Sequence, residues 1–235
     1  MLDAIAFDAD DTLWHTEYYY RQTESRYLDL LASYGIAPQT VLDVLHRIEI
    51  ANLAFFGYGI RGFTLSMIEA AVEVTGGQVR GADIQAIVDL GRAMTSHEIR
   101  LLPGAEESLA SLGQQYPLLI ITKGDVLDQE SKINRSGLAK YFRHIEIISD
   151  KTPAAYSAIL ARHNIDPSRF LMVGNSLRSD IAPILALGGY AVHVPYELTW
   201  AHESAADLPE DRGRFGEIPA LNELVGWVKR IENKA

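Results

Sequence analysis

The sequence contains no cysteine. That excludes disulfides, a thiolate nucleophile and cysteine-ligated zinc. It also lacks any apolar run of transmembrane length, so no membrane partner is expected. The opening residues, Met1-Leu2-Asp3-Ala4-Ile5, carry neither the basic n-region nor the long apolar h-region of a signal peptide, and the expected location is cytoplasmic. Basic residues are in the minority, 21 Lys and Arg against 31 Asp and Glu, for a net charge of −10. Such a balance leaves no electrostatic footprint for nucleic acid or an anionic membrane. An anionic ligand would need local compensation by Lys, Arg or a metal ion. There is no internal repeat and no low-complexity tract. With 48% hydrophobic and 22% charged residues over 235 positions, the chain is long enough for one large domain or two small ones around a sizeable core.

The most informative stretch is Ala4-Ile5-Ala6-Phe7-Asp8-Ala9-Asp10-Asp11-Thr12. Four apolar residues read as a buried strand. Three carboxylates follow within four positions. Acids crowded at the end of a buried strand repel one another and lose solvation, and ordinary packing gives no reason to collect them. A divalent cation does, because it offsets the repulsion and keeps the acids ionised. Ligands of open α/β sheets bind just outside the carboxyl ends of the strands. In isolation, however, Asp10 or Asp11 reads equally well as the N-cap of the next helix.

Residues 15–34 have apolar residues at helical spacing, with Gly35 as a stop. Pro38 opens a second helix, and Phe55 to Phe63 reads as a Gly-rich turn. Helices near 64–75 and 82–97 complete an all-helical block. From Leu102 onward the pattern changes to short apolar strands, 117–122, 144–148, 170–174 and 190–194, alternating with helices. Alternation of that kind implies right-handed βαβ units and a parallel sheet. Residues 195–218 read as a long connection, and 219–232 as the last helix. The expected organisation is an α/β core formed by 1–14 and 98–235, interrupted after the first strand by a helical insert at 15–97. An insert at that point belongs with a lid or specificity cap.

Three later strand ends add chemistry. Thr122-Lys123-Gly124-Asp125 places a hydroxyl beside the first amides of a helix, an anion pocket or a simple cap. Lys151 precedes a helix at the mouth of the sheet, where a cation can hold an anionic oxygen and steady carboxylates, although most lysines are solvated. Gly174-Asn175-Ser176 through Asp180 supplies an amide and a carboxylate that suit an oxygen-rich Mg²⁺ shell, or cap the helix that follows. Each segment is weak alone. The four occur in order, each at the end of a different strand of one sheet, and the joint pattern is specific.

On these residues the chain resembles the haloacid dehalogenase-like superfamily, in the phosphatase branch with a helical cap after the first strand. Asp8-Ala9-Asp10-Asp11-Thr12, Thr122, Lys151, and Gly174-Asn175-Ser176 through Asp180 match its four motifs. The resemblance implies a Rossmann-like three-layer α/β core and hydrolysis of a small phosphorylated metabolite through an aspartyl phosphate. It makes Asp8 the nucleophile and Asp10 the general acid and base, roles that agree with carboxylate chemistry. It assigns Thr122 and Lys151 to the transferring phosphoryl group, with Thr12 and Lys123 beside it. It also implies Mg²⁺ held by Asp8, the backbone carbonyl of Asp10, and Asn175 or Asp180. Asn175 departs from the usual Asp; its amide oxygen still ligates a hard cation, but the shell loses one negative charge.

Recognition of the leaving group is expected to fall to the insert, where Arg61 is the best candidate to pair with a second anionic group. Trp200 and His202, in the loop after the strand at 190–194, are weaker candidates. Tyr18, Tyr19 and Tyr20 are given no role. Rival readings are a dehalogenase, which Asp10 argues against, a phosphomutase, and a non-catalytic protein that keeps the fold. The assembly is expected to be a monomer or homodimer.

Overall fold

The computed structural model describes residues 1–199 and 213–233. Two compact units are present. One comprises Met1–Glu17 with the described residues from Ile99 onward, and the other is Tyr18–Glu98.

The first unit is built on β1 (Ala4–Phe7), whose four residues are all buried. It lies in the middle of a sheet with β2 (Leu118–Lys123), β3 (His144–Ile148), β4 (Phe170–Gly174), β5 (Tyr190–His193) and β6 (Phe215–Glu217). The strand order is β3-β2-β1-β4-β5-β6, and every adjacent pair is parallel. Both faces of β1 are covered, which is why it reads as a continuous apolar run rather than an alternation. Ile5 and Phe7 join one core with Leu109, Ile120, Ile133, Val173 and Leu224. Ala4 and Ala6 face a second core with Tyr156, Ile159, Phe170 and Ile184. The helices on the first side are α5 (Ala105–Leu112), α6 (Val126–Arg135) and α9 (Leu224–Glu232), and on the other α7 (Pro153–Arg162) and α8 (Ala182–Ala186). A helix–sheet–helix sandwich results. Each fully buried Ile or Phe contributes roughly 1.5–3 kcal/mol to it.

The chain runs outward from β1 to β2 and β3, then returns to β4 and proceeds the other way. The order therefore switches between β1 and β4, the position at which doubly wound sheets open a crevice at their carboxyl ends.

The second unit is all helical: α1 (Glu17–Leu31, its first residue still in the first unit), α2 (Pro38–Phe56), α3 (Ile60–Val74) and α4 (Gly81–Thr95). Tyr27, Leu31, Leu45, Ile48, Phe63, Met67 and Ile87 form its core. Its two connections to the sheet run side by side: Leu102 N donates to Leu13 O at 2.9 Å, and His15 N to Arg100 O at 3.0 Å.

Several elements differ from the sequence reading. Residues 195–218 are not a connection throughout, since Phe215–Glu217 pairs with β5 as an edge strand. Three residues are too short for an alternation to show. The central Gly216 is also required, because a Cβ there would lie 2.1 Å from Trp227 Nε1. The turn expected over Phe55 to Phe63 shrinks to 57–59, so Arg61 lies in the first turn of α3. The helix expected to follow Gly174-Asn175-Ser176 is a π-turn over Leu177–Ile181 followed by α8.

Candidate active site

Asp8 is the first residue beyond β1, and its N–H still bonds Val173 O on β4 at 2.9 Å. The carboxylate thus emerges at the switch between the two strands. Lys151, two residues before α7, reaches across β2 to meet it. Lys151 Nζ donates to Asp8 Oδ1 and, at 2.6 Å, to Asp180 Oδ1. It is not a surface lysine, being only 4% exposed. Asp180 is fully buried, and its other oxygen accepts Ser176 N–H at 3.0 Å.

Thr12 joins the opposite side of the site. Its Oγ1 lies 3.2 Å from Asp8 Oδ2 and 3.3 Å from Asn175 Oδ1, so its single proton serves one of the two. The same oxygen accepts Asn175 N–H at 3.1 Å. His193, at the end of β5, bridges Asn175 O (3.1 Å) and Glu217 (2.9 Å) and props this loop from behind. Thr122 is buried at the end of β2. It is not a helix cap, because Asp125 caps α6 by accepting Asp128 N–H.

Burial pushes the Asp8 carboxyl up to about 7, against the pull of Lys151 and with a further push from Asp180. Burial acts to discharge Lys151, but the two carboxylates outweigh it and hold the ammonium above its ordinary value. One buried base thus faces two buried acids. Asp8, Asp180 and the Asn175 amide present hard oxygens in one place. Among the described residues, no group of three or more His, Asp or Glu side chains is arranged to hold a metal ion.

The other two acids of the opening motif point to different work. Asp11, at φ 60°, accepts the N–H groups of Thr16 (2.8 Å) and Glu17 (3.0 Å) and so starts α1. Of the two capping alternatives, the structure selects Asp11. Asp10 faces α6 instead: Lys132, Gln129, Trp14 and Thr16 all donate to it. Burial disfavours its charge, but Lys132 and these hydrogen bonds hold its carboxyl below the usual range.

Lys123 donates to Ser179 Oγ at 2.9 Å. Arg61 belongs to the helical unit. Trp200 and His202 lie outside the described residues. The sequence reading missed Lys132, Gln129 and His193. Gln129 and Lys132 stand three apart on α6, one face of a helix, but nothing in the local sequence marks this lysine as buried.

The arrangement defines a class of site: a carboxylate at the switch point of a doubly wound α/β sheet, held against a buried lysine. The chain is similar to a solved haloacid dehalogenase-like family hydrolase from Xanthomonas campestris, with 36% identity, a TM-score of 0.87, and 99% of this chain and 97% of that one covered. It is 32% identical over 166 residues to the ribulose-1,5-bisphosphate 5-phosphatase of Halopiger xanaduensis, covering 67% of this chain and 69% of the relative. It is 26% identical over 242 residues to the glyceraldehyde 3-phosphate phosphatase of Methanothermobacter thermautotrophicus, covering 96% and 100%. The haloacid dehalogenase-like hydrolase family model matches residues 2–188, and the chain belongs to that family.

Proposed function

We propose that this hydrolase is a Mg²⁺-dependent phosphatase of a small phosphate monoester, with Asp8 as nucleophile. The carrying observation is the buried Asp8–Lys151–Asp180 cluster at the switch between β1 and β4. The relatives named as sugar-phosphate phosphatases support the substrate class.

An Asp8 oxygen attacks phosphorus, and the bond from phosphorus to the ester oxygen breaks. Asp10 protonates the departing alkoxide. Asp10 then takes a proton from water, which attacks the aspartyl phosphate and releases inorganic phosphate and free Asp8. Lys151 stands where it can hold a phosphoryl oxygen and offset the charge that builds up there. Thr122, Thr12 and Lys123 line the same strand ends and supply hydroxyl and ammonium donors. The presence of Asp10 favours phosphoryl transfer over dehalogenation. Mg²⁺, when bound, supplies positive charge against the phosphoryl group. The oxygens of Asp8, Asn175 and Asp180, with the Asp10 carbonyl, fit a hard cation that keeps several waters and takes few protein ligands. Arg61 is the candidate for reading the leaving group.

The test is phosphate release from an aryl phosphate and a panel of small phosphate monoesters, with Mg²⁺ or EDTA, for wild type and Asp8→Asn. Activity that requires both Mg²⁺ and Asp8 is expected. Turnover that survives in Asp8→Asn, or no phosphate release from any ester by wild type, overturns the proposal.

A further inference from the structure

Five donor contacts converge on the Asp10 carboxylate. Oδ1 accepts from Trp14 Nε1, Thr16 Oγ1 and Lys132 Nζ, each at 2.8 Å. Oδ2 accepts from Lys132 Nζ at 2.7 Å and Gln129 Nε2 at 2.8 Å. Two carboxylate oxygens offer about four lone-pair sites. The group is oversubscribed, and it can exchange a proton with a ligand only when one donor lets go. Lys132 alone touches both oxygens, so it can keep Oδ1 while Oδ2 is released. Gln129 can give up Oδ2 at little cost, because its amide also donates to Lys123 O at 2.9 Å.

Exposure separates the two charged partners. The Asp10 side chain keeps 24% of its surface open, whereas that of Lys132 keeps 4%. Asp10 is therefore the open member of the pair and Lys132 the sealed one. Asp128 backs the lysine from one turn away at 3.2 Å. The loop before α6 is shaped around the same contact. Gly124 has φ +138°, and a Cβ there would fall 2.9 Å from Gln129 Nε2. Such investment in one carboxylate is unexplained by its position at a strand end, since the neighbouring Asp11 is satisfied by two backbone amides.

We infer that Lys132 is the positioning residue for Asp10, pinning the carboxylate through Oδ1 so that Oδ2 handles the proton of the leaving group. The inference rests on the phosphatase reading above. Once Gln129 and Lys132 release Oδ2, it holds the proton taken from water in the preceding turnover; as the ester bond to phosphorus breaks and the bond from Asp8 to phosphorus forms, that proton passes to the alkoxide. The negative charge left on Asp10 falls against Lys132. Orientation of this kind matters most when the leaving group cannot depart without a proton.

The experiment compares kcat/KM for an alkyl phosphate, a poor leaving group, with that for 2,4-dinitrophenyl phosphate, which departs unprotonated. kcat/KM reports the steps through transfer to Asp8 and is blind to hydrolysis of the aspartyl phosphate. Lys132→Met is expected to lose at least tenfold more on the alkyl ester than on the aryl ester. Lys132→Arg, which keeps the cation, is expected to recover most of that selectivity. Lys132→Gln keeps one donor and carries the same test at reduced amplitude if the Met variant does not fold. The Mg²⁺ concentration for half-maximal activity is expected to stay unchanged. Equal losses on both esters, or no loss, overturn the assignment of Lys132 while leaving the phosphatase reading intact. A wild type that cleaves neither ester overturns that reading and this inference with it.

Discussion

Asp180 lies directly against Gly174: a Cβ on that glycine would stand 2.2 Å from Asp180 Oδ2 and 2.3 Å from its Cγ. The last residue of β4 is thus bare so that a buried carboxylate can reach Lys151. Gly174→Ala is expected to displace Asp180, cost about 1–3 kcal/mol of stability as an overpacked site, and lower phosphatase activity at least a hundredfold. Thermal melts and phosphate release check the two effects separately. Full activity would mean that Asp180 can move without consequence.

Lys151 pairs with two carboxylates at once. Lys151→Met leaves Asp8 and Asp180 facing each other without a cation, and removing one partner of a buried ion pair typically costs about 3–5 kcal/mol. The expected result is a large fall in melting temperature that is smaller in the double variant Lys151→Met with Asp180→Asn, which removes one of the stranded charges. Activity is expected to be lost in both. A melting temperature unchanged in the single variant would refute the ion-pair account.

Asn175 supplies an amide oxygen where a carboxylate would add charge. Asn175→Asp is expected to lower the Mg²⁺ concentration needed for half-maximal activity severalfold, measured by metal titration of phosphate release. An unchanged half-saturation would remove Asn175 from the proposed ligand set.

The helical unit carries a different electrostatic signature. Burial, with the Glu24 carboxylate adding to it, pushes Glu49 up to about 7 from an ordinary 4.5, against the weaker pull of His46 and Arg21. A carboxyl raised on folding stabilises the protein fully below its unfolded value and loses that contribution as pH rises through about 7. His46, raised first by its hydrogen bond to Glu24, works in the same direction. Glu49→Gln is therefore expected to melt close to wild type at pH 5 and to be more stable at pH 8, by on the order of 1–3 kcal/mol. Equal melting temperatures at pH 8 would contradict it.

Legibility in the sequence followed chemical oddity. Asp8, Lys151, Asn175 and Asp180 are residue types that packing does not place at the ends of apolar runs, and the structure brings them together. Lys132 escaped because a lysine among polar neighbours on a helix looks solvated. Only the tertiary fold shows that its partners are Asp10 and Asp128. β6 escaped for the opposite reason: its signal is a bare glycine under Trp227, a contact between distant residues. Asp11 was legible as a cap, but choosing between it and Asp10 needed the backbone geometry.

The position of β1 also orders events during synthesis. Phe7 is made well before its neighbours in the sheet, Ile120 and Val173. At ribosomal rates of ~5–20 residues per second, Val173 follows Phe7 by roughly 10–30 s. The helical unit Tyr18–Glu98 emerges complete in that interval, with its own core. The strand that leads to Asp8 is thus translated long before β4 arrives to complete its seat. Until then Ile5 and Phe7 lack Leu171 and Val173, the β4 neighbours that complete their burial.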